Sequence, residues 1–455
     1  MHAAHGERGS GLRRRAALVL PAVPAIPLLV GACGRGTETA GANAGPVTKP
    51  VTITTWYPPT GNYTAFLREQ TDAFQAANPK VTVSVEPDGG ADKLQAVLAG
   101  GDPPDLQQSN FIPMFSWAKK GVLEAVDPYL DKRGKGDYHD WARDGSTVQG
   151  KLSAWPWMLN PTGVVANVSL FEQKNAAHLL PAPGPKADWT FDQWKAALKA
   201  VTVVAGDAER DVYGTGFLAG TTAGDYWQLM YLWSNGAELY DREETKVTIC
   251  SPEGVAGLQM LVDLVHRDRL AAPGVEQHTY ATLLELFMAK RMGILNGSPA
   301  TVGDAEKRLR EGTIIPPFKA QFLPTPHAPG KKSTAFVAIQ SFLVFRQERD
   351  KDRTRGAMQL GHFLTDNAAQ KAITPIGELP VRKSAGNLYP DDTSRTTALA
   401  TIESARSMGR FPENGEIRKL WQQAAQAAFT QQKAVRAALD EMCQLAEPIM
   451  ARNRS

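Results

Sequence analysis

From Val51 to Trp56 β-branched and threonine residues alternate, a two-residue period that predicts a strand. Tyr63 to Ala77 changes period, placing Tyr63, Phe66, Leu67, Phe74 and Ala77 on one helical face, and Asn78 with Pro79 stops that helix. Val81, Val83 and Val85 alternate with Thr82 and Ser84 as a second strand; Leu94, Val97 and Leu98 mark a second helix closed by Gly100 and Gly101. This βαβα rhythm implies parallel strands with right-handed crossovers, and ligand crevices at the carboxyl ends of the strands.

Further along, Trp189–Val201 and Val255–Val265 have helical periodicity, and the short apolar runs Met292–Leu295 and Phe336–Phe345 fit strands. Glu416 to Met450 reads as almost continuous helix, with Leu420, Ala424, Ala427, Ala428, Val435, Leu439 and Met442 at helical spacing. No tandem repeat is visible. A chain of 455 residues with this mixture exceeds one comfortable core, so two α/β lobes are expected.

The amino terminus has a different pattern. Arg13–Arg15, an apolar run from Ala16 to Val30, and small residues at Gly31 and Ala32 have the layout of an export signal over residues 1–32. The run falls short of the roughly 20 residues a membrane span needs, and Pro21, Pro24 and Pro27 interrupt it. The order Val30, Gly31, Ala32, Cys33 resembles the lipobox of bacterial lipoprotein precursors, which makes Cys33 the expected lipidated residue. Residues 33–50, poor in apolar bulk, are expected to form a flexible tether. The arginine run leaves both general and twin-arginine export open.

The formal charge of +3 comes from Arg8, Arg13, Arg14 and Arg15 against Glu7; the remaining chain is balanced. A neutral body without a basic run argues against nucleic acid as a partner, since that affinity rests on neutralising phosphates. The three cysteines are Cys33, Cys250 and Cys443. The last two lie far apart in sequence, and two separate thiols are slightly favoured over a disulfide. No CxxC, HExxH, GxSxG or GxxxxGK[ST] occurs, and the one HxxH, His2 to His5, falls within the export signal, so neither a metal nor another cofactor is expected, and the common nucleophile and phosphate-cradle motifs are missing. Gly214, Gly216 and Ala219 spell GxGxxA, but Gly220, Thr221, Thr222 and Gly224 follow where a helix should begin, which favours a flexible loop. Asp225, Glu238 and Glu378 are carboxylates that a glycosidase would need close together.

Aromatic residues are the more informative chemistry. Sugars present a C–H face to rings and a rim of hydroxyls to amides, carboxylates and guanidinium groups. Trp117 and Trp194 fit core positions within helices. Trp56 and Tyr57, at a strand end before Pro58, and Trp157 with Asn160, before Pro161, fit a crevice wall or a core equally well.

Nine segments in order carry a family resemblance over nearly the whole chain after the tether. They include "NPKVTVSVEP" (78–87), "LAGGDPPDLQQSN" (98–110), "GKLSAWPWMLNPTGVVANVSLFE" (150–172), "KVTICSPEGVAGLQMLVDLV" (246–265), "LFMAKRMGILNG" (286–297) and "GELPVRKSA" (377–385). The chain resembles the extracellular solute-binding proteins of family 1, receptors of carbohydrate ABC importers. Two departures stand out: Lys290 replaces the usual glycine after "FMA", and Ser298, Pro299 and Ala300 replace a bulky aromatic after "NG".

The resemblance implies an α/β, two-lobed periplasmic-binding-protein-like fold, each lobe a mostly parallel sheet flanked by helices. It implies an N-terminal lobe of 51–157 plus 292–340 and a C-terminal lobe of 161–289 plus 342–455, with crossovers near 157–161, 289–292 and 338–342. The implied ligand set is Trp56, Tyr57, Ser109, Asn110, Trp157, Asn160, Asp225, Trp227, Asn296, Gln340 and Arg382. Asn296 also reads as a turn residue with Gly297, and Arg382 equally as a solvated surface arginine. The implied function is a monomeric, non-enzymatic receptor held to the outer face of the cell membrane through Cys33, which captures a carbohydrate and delivers it to an ABC permease. A glycerol-phosphate or polyol-phosphate receptor and a secreted carbohydrate-active enzyme are the alternatives.

Overall fold

The computed structural model describes residues 45–58, 61–207, 209–347, 350–406 and 408–454. The export signal and Cys33 lie outside these residues. Strands Val51–Tyr57 and Val81–Pro87 pair in parallel, Val51 opposite Val81, with helix Gly61–Ala77 as the crossover that alternation followed by helical spacing predicts. Helix Gly90–Gly100 then ends at Gly101, whose φ of 77° closes it in the left-handed region where glycine carries no Cβ penalty.

These elements begin a six-stranded sheet in the order Leu379–Pro380, Trp155–Pro161, Val337–Val344, Leu106–Asn110, Val51–Tyr57, Val81–Pro87. Four strands run one way; Val337–Val344 and Leu379–Pro380 run against them. Helix Lys351–Thr365 lies close on this sheet because Gly356 brings its backbone against Ile53, Val81 and Val51.

The second sheet has Gly163–Asn167 at its centre, antiparallel to Ile294–Gly297 on one side and to Ala320–Leu323 on the other. Parallel bridges from Tyr213 to Met292 and from Thr215 to Ala271 extend it. The Gly214–Gly216 segment is therefore part of this sheet and not a loose loop, and Gly214 is needed because a Cβ there would lie 2.8 Å from Leu198 Cβ. Helices Asp225–Ser234, Tyr280–Met288 and Pro299–Arg310 pack on the sheet, and helix Pro252–His266 packs on Asp225–Ser234. The carboxyl-terminal stretch is two helices, Asn414–Phe429 and Val435–Arg454, broken where Gln431 takes a φ of 57°.

The lobe boundaries require correction. Strand Ile294–Gly297, helix Pro299–Arg310 and strand Ala320–Leu323 belong to the second lobe, because their partners are Gly163–Asn167 and each other. Residues 351–380 belong to the first, since helix Lys351–Thr365 packs on strands Val51–Tyr57 and Trp155–Pro161. An apolar run announces a strand without saying which sheet it joins. The chain passes between sheets at Thr162, whose N–H donates to Phe336 O at 2.8 Å while its Oγ1 accepts from Phe336 N at 2.9 Å.

Two further expectations change. The tether ends before residue 50: Val47 is buried, and Thr48 donates through N and Oγ1 to the Asp352 carboxylate at 3.2 and 2.5 Å. Cys250 and Cys443 are joined in a disulfide that ties helix Val435–Arg454 to the loop before helix Pro252–His266. Both cysteines lie in the second lobe, a proximity that no sequence spacing reveals.

Candidate functional site

Strand Val337–Val344 belongs to the first sheet and starts where the chain crosses from the second. Successive strand side chains point to opposite faces, so Ala338 and Gln340 face one cavity and Ile339 another. The first cavity, about 460 Å³, is closed by Asn160, Ala338 and Gln340 from the first sheet and by residues of the second lobe on the other side. It therefore lies between the two sheets, with a volume in the usual range for small-molecule sites.

The second-lobe wall is aromatic. Trp227 stacks on Tyr280 with centroids 5.8 Å apart and planes at 9°, and Tyr226 stacks on Phe336 at 5.1 Å and 26°. Burial pushes the Tyr280 and Tyr226 hydroxyls up to about 12, so both remain neutral phenols at physiological pH. Uncharged polar groups complete the lining: Asn160, Thr162, Ser298, Thr301 and Gln340. Tyr280 Oη and Thr301 Oγ1 share a hydrogen bond of 2.8 Å, and Gln108 Nε2 donates to Gln340 Oε1 at 2.8 Å, which fixes that amide.

Two charged side chains reach the cavity, and each is paired. Arg418, from helix Asn414–Phe429, is held by Asp225, while Asp304 accepts from Arg308 Nε at 3.1 Å. Burial raises the Asp225 carboxyl above its ordinary value, and the Arg418 guanidinium works against that. An adjoining hollow of about 1010 Å³ shares Ala300 and Asp304 with the cavity and is walled by Tyr63, Tyr389 and Thr374–Gly377 of the first lobe. The small residues Ser298 and Ala300 thus open onto the cleft, and Tyr280 supplies a ring from another helix.

Among the expected ligand residues, Asn160, Trp227 and Gln340 line this cavity, and Asp225 sits directly behind it. Ser109 is half-buried in strand Leu106–Asn110 opposite Ser341 and does not line the cavity, and the Asn110 backbone pairs with Gln340.

The other five occupy interior positions away from the cavity. Trp56 donates through Nε1 to Glu86 at 3.2 Å beneath Lys93, and strand Leu106–Asn110 separates it from the crossing strand. Tyr57 is buried with its hydroxyl 2.7 Å from Thr71 Oγ1, and Trp157 is enclosed by Tyr63, Phe66 and Phe342. Asn296 is neither a ligand group nor an exposed turn: its Oδ1 accepts from Tyr231 Oη at 2.5 Å and its Nδ2 donates to Gly216 O at 3.3 Å, locking the second sheet to helix Asp225–Ser234.

Arg382 is fully buried and not solvated. It donates from Nε to Thr365 O at 2.7 Å, from Nη1 to Asp137 at 3.1 Å and to Asp131 at 3.4 Å, and its guanidinium lies 4.6 Å over the Tyr138 ring. An arginine with this many carboxylates needs no solvent, a pairing invisible at a sequence separation of more than 240 residues.

Among the lining residues not foreseen are Tyr226, Tyr280, Arg418, Asp304, Thr301 and Phe336. Tyr280 had one signal, an aromatic at the start of a helix capped by Thr279, whereas Arg418 sits in a stretch whose charges look solvated. Glu238 pairs with Arg406 at 3.1 Å on the other cavity, about 370 Å³ across the crossing strand, so it does not join Asp225 as a catalytic pair. Among the described residues no cluster of three or more His, Cys, Asp or Glu side chains is placed to hold a metal, and no helix is long and apolar enough to cross a membrane.

Comparison with known proteins places this architecture. A binding protein of Brucella abortus is 22% identical over 394 residues, covering 85% of this chain and 89% of its own. A maltose-bound protein of T. maritima superposes with a TM-score of 0.74 at 21% identity, over 88% of this chain and 99% of that one. A solute-binding protein of an ABC transporter from Thermotoga lettingae, bound with α-D-tagatose, gives 0.75 at 19% identity, over 88% and 99%. The family model for bacterial extracellular solute-binding proteins matches residues 57–371, more than half of the sequence. The chain belongs to the bacterial extracellular solute-binding protein family.

Proposed function

We propose that this protein is the receptor of an ABC importer, a lipoprotein that captures a neutral sugar or oligosaccharide between its two lobes and delivers it to a membrane permease. The observation that carries this reading is the composition of the interlobe cavity: stacked rings on one wall, uncharged amides and hydroxyls around them, and one guanidinium already neutralised by Asp225. Rings suit the C–H face of a sugar and the polar rim suits its hydroxyls. A phosphorylated polyol would call for several cations left to bind its charge, and the arrangement disfavours it. Binding without turnover fits a ring-lined cavity in which the lining carboxylate, Asp304, is occupied by Arg308.

Solute in contact with both walls favours the closed arrangement, because closure is driven by the difference in affinity between the two states. The adjoining hollow gives room for more than one ring. Thermal melting with maltose, maltotriose, D-tagatose and glycerol 3-phosphate tests the ligand class: a sugar is expected to raise the midpoint. A shift with glycerol 3-phosphate alone would overturn the sugar assignment, and steady release of cleaved sugar would overturn the receptor. Anchoring is tested by Cys33→Ala, which should release the protein from the membrane fraction.

A further inference from the structure

We infer that Glu378 is a positioning residue for the bound sugar, a buried carboxylate that orients cleft-facing groups in both halves of the cleft and so makes sugar affinity depend on pH. This rests on the sugar-receptor reading. Glu378 precedes strand Leu379–Pro380, which pairs with Met158 and Leu159, and its side chain is fully buried behind the first-lobe wall. Its Oε1 accepts from Tyr63 Oη, and Asn160 Nδ2 lies 3.5 Å from the same oxygen. Asn160 lines the interlobe cavity and Tyr63 the adjoining hollow. One carboxylate therefore sits behind both.

An ionised carboxylate only accepts hydrogen bonds. It draws the Tyr63 hydroxyl proton and the Asn160 amide hydrogens inward, which leaves Tyr63 Oη lone pairs and Asn160 Oδ1 for the hydroxyls of a sugar. Once protonated, the acid becomes a donor, and Tyr63 Oη, already in contact with Oε1, is an acceptor within its reach. Protonation thus competes with the sugar for that oxygen and weakens the pull on the Asn160 amide hydrogens.

The charged and titratable surroundings favour a midpoint near neutrality. Burial pushes Glu378 up to about 7, against the Tyr63 hydrogen bond and the charge of Arg395. Arg395 is itself paired with Asp392 and donates from Nε to Gly377 O at 3.0 Å; Tyr389 Oη donates to the Glu378 backbone carbonyl at 2.8 Å. Tyr63 is held well above its ordinary value by burial and by Glu378, and so remains a donor throughout. Across the hollow, helix Pro299–Arg310 presents Asp304, Glu306, Lys307 and Arg310, with Glu311 just beyond, a mixed set with no dominant sign.

The test is calorimetric titration of the full chain at pH 5, 6, 7 and 8 with whichever of maltose, maltotriose or D-tagatose gives the largest melting shift. The wild type should lose about tenfold in affinity per pH unit below the carboxyl midpoint, as a single linked proton requires. Glu378→Gln should bind with a flat profile, and Tyr63→Phe, which removes a stabiliser of the ionised form, should move the midpoint upward. A flat wild-type profile with tight binding overturns the role of Glu378 and leaves the receptor intact. Failure of all three sugars to bind overturns the sugar assignment and this proposal with it.

Discussion

Arg418 grips Asp225 through two contacts, Nε to Oδ2 at 2.5 Å and Nη2 to Oδ1 at 3.3 Å, with the carboxylate fully buried and only the guanidinium reaching the cavity. Removing one member of such a pair leaves an uncompensated buried charge. Arg418→Met is expected to destabilise the protein by about 3–5 kcal/mol, read by urea denaturation, and to abolish sugar binding. Without its partner the Asp225 carboxyl rises further, so the deficit should be larger at pH 8 than at pH 5, where protonation relieves it.

Trp227 and Tyr280 act as one flat surface. Trp227→Ala should weaken sugar binding at least tenfold and remove the ligand-dependent part of the tryptophan fluorescence change. Tyr280→Phe keeps the ring and loses the Thr301 contact, so it should bind more tightly than Trp227→Ala. Equal affinities of the two variants would show that the stacked face is not what the sugar meets.

Arg382 has a different fate. Burial pushes Asp131 up, yet His362 and Arg382 outweigh it and hold that carboxyl below its usual range. Arg382→Met, which strands Asp131 and Asp137, should cost about 3–5 kcal/mol in stability while the dissociation constant of the remaining folded protein stays unchanged. A carboxylate with a depressed value contributes stability that is lost as pH falls, so the wild-type advantage over this variant should shrink in acid.

The contrast between Arg382 and Arg418 shows what the sequence made legible. Strands and helices were readable because period two and period 3.6 are local properties, as in Val51–Trp56 and Tyr63–Ala77. The cavity-lining positions at the chain crossing, Asn160 and Gln340, were named from the family resemblance. Partners contributed by distant helices did not: nothing near Arg418 announces Asp225, and nothing near Arg382 announces Asp131. Lobe membership failed for the same reason, since Ile294–Gly297 chooses its sheet by pairing with Gly163–Asn167 across more than a hundred intervening residues.

Lys290 is a non-glycine residue with a φ of 59°. A side chain in the left-handed region costs roughly 1 kcal/mol relative to glycine. Lys290→Gly should therefore raise the melting midpoint slightly and leave affinity untouched; a drop would mean that the Lys290 side chain makes compensating contacts.

Glu378 also governs stability. Its folded value of about 7 exceeds its ordinary 4.5, so the native state holds this proton more tightly than the unfolded chain. That contribution is complete below the unfolded value and disappears as pH rises to about 7. Between pH 5 and pH 8 the wild type should lose up to about 3 kcal/mol relative to Glu378→Gln, measured by denaturant melts at each pH.

Where strands Trp155–Pro161 and Val337–Val344 meet, Gln340 opposes Met158 while its neighbour Ser341 opposes Pro156, so the ladder steps past Trp157. Side chains on a strand alternate, and one residue more or less reverses every face beyond the step. Shorten the strand by that single indole and Asn160 would turn to where Leu159 now points, carrying an amide into the hydrocarbon layer and a leucine into the sugar's path. A tryptophan enclosed by Tyr63, Phe66 and Phe342 thereby keeps the parity that aims Asn160 at the cavity.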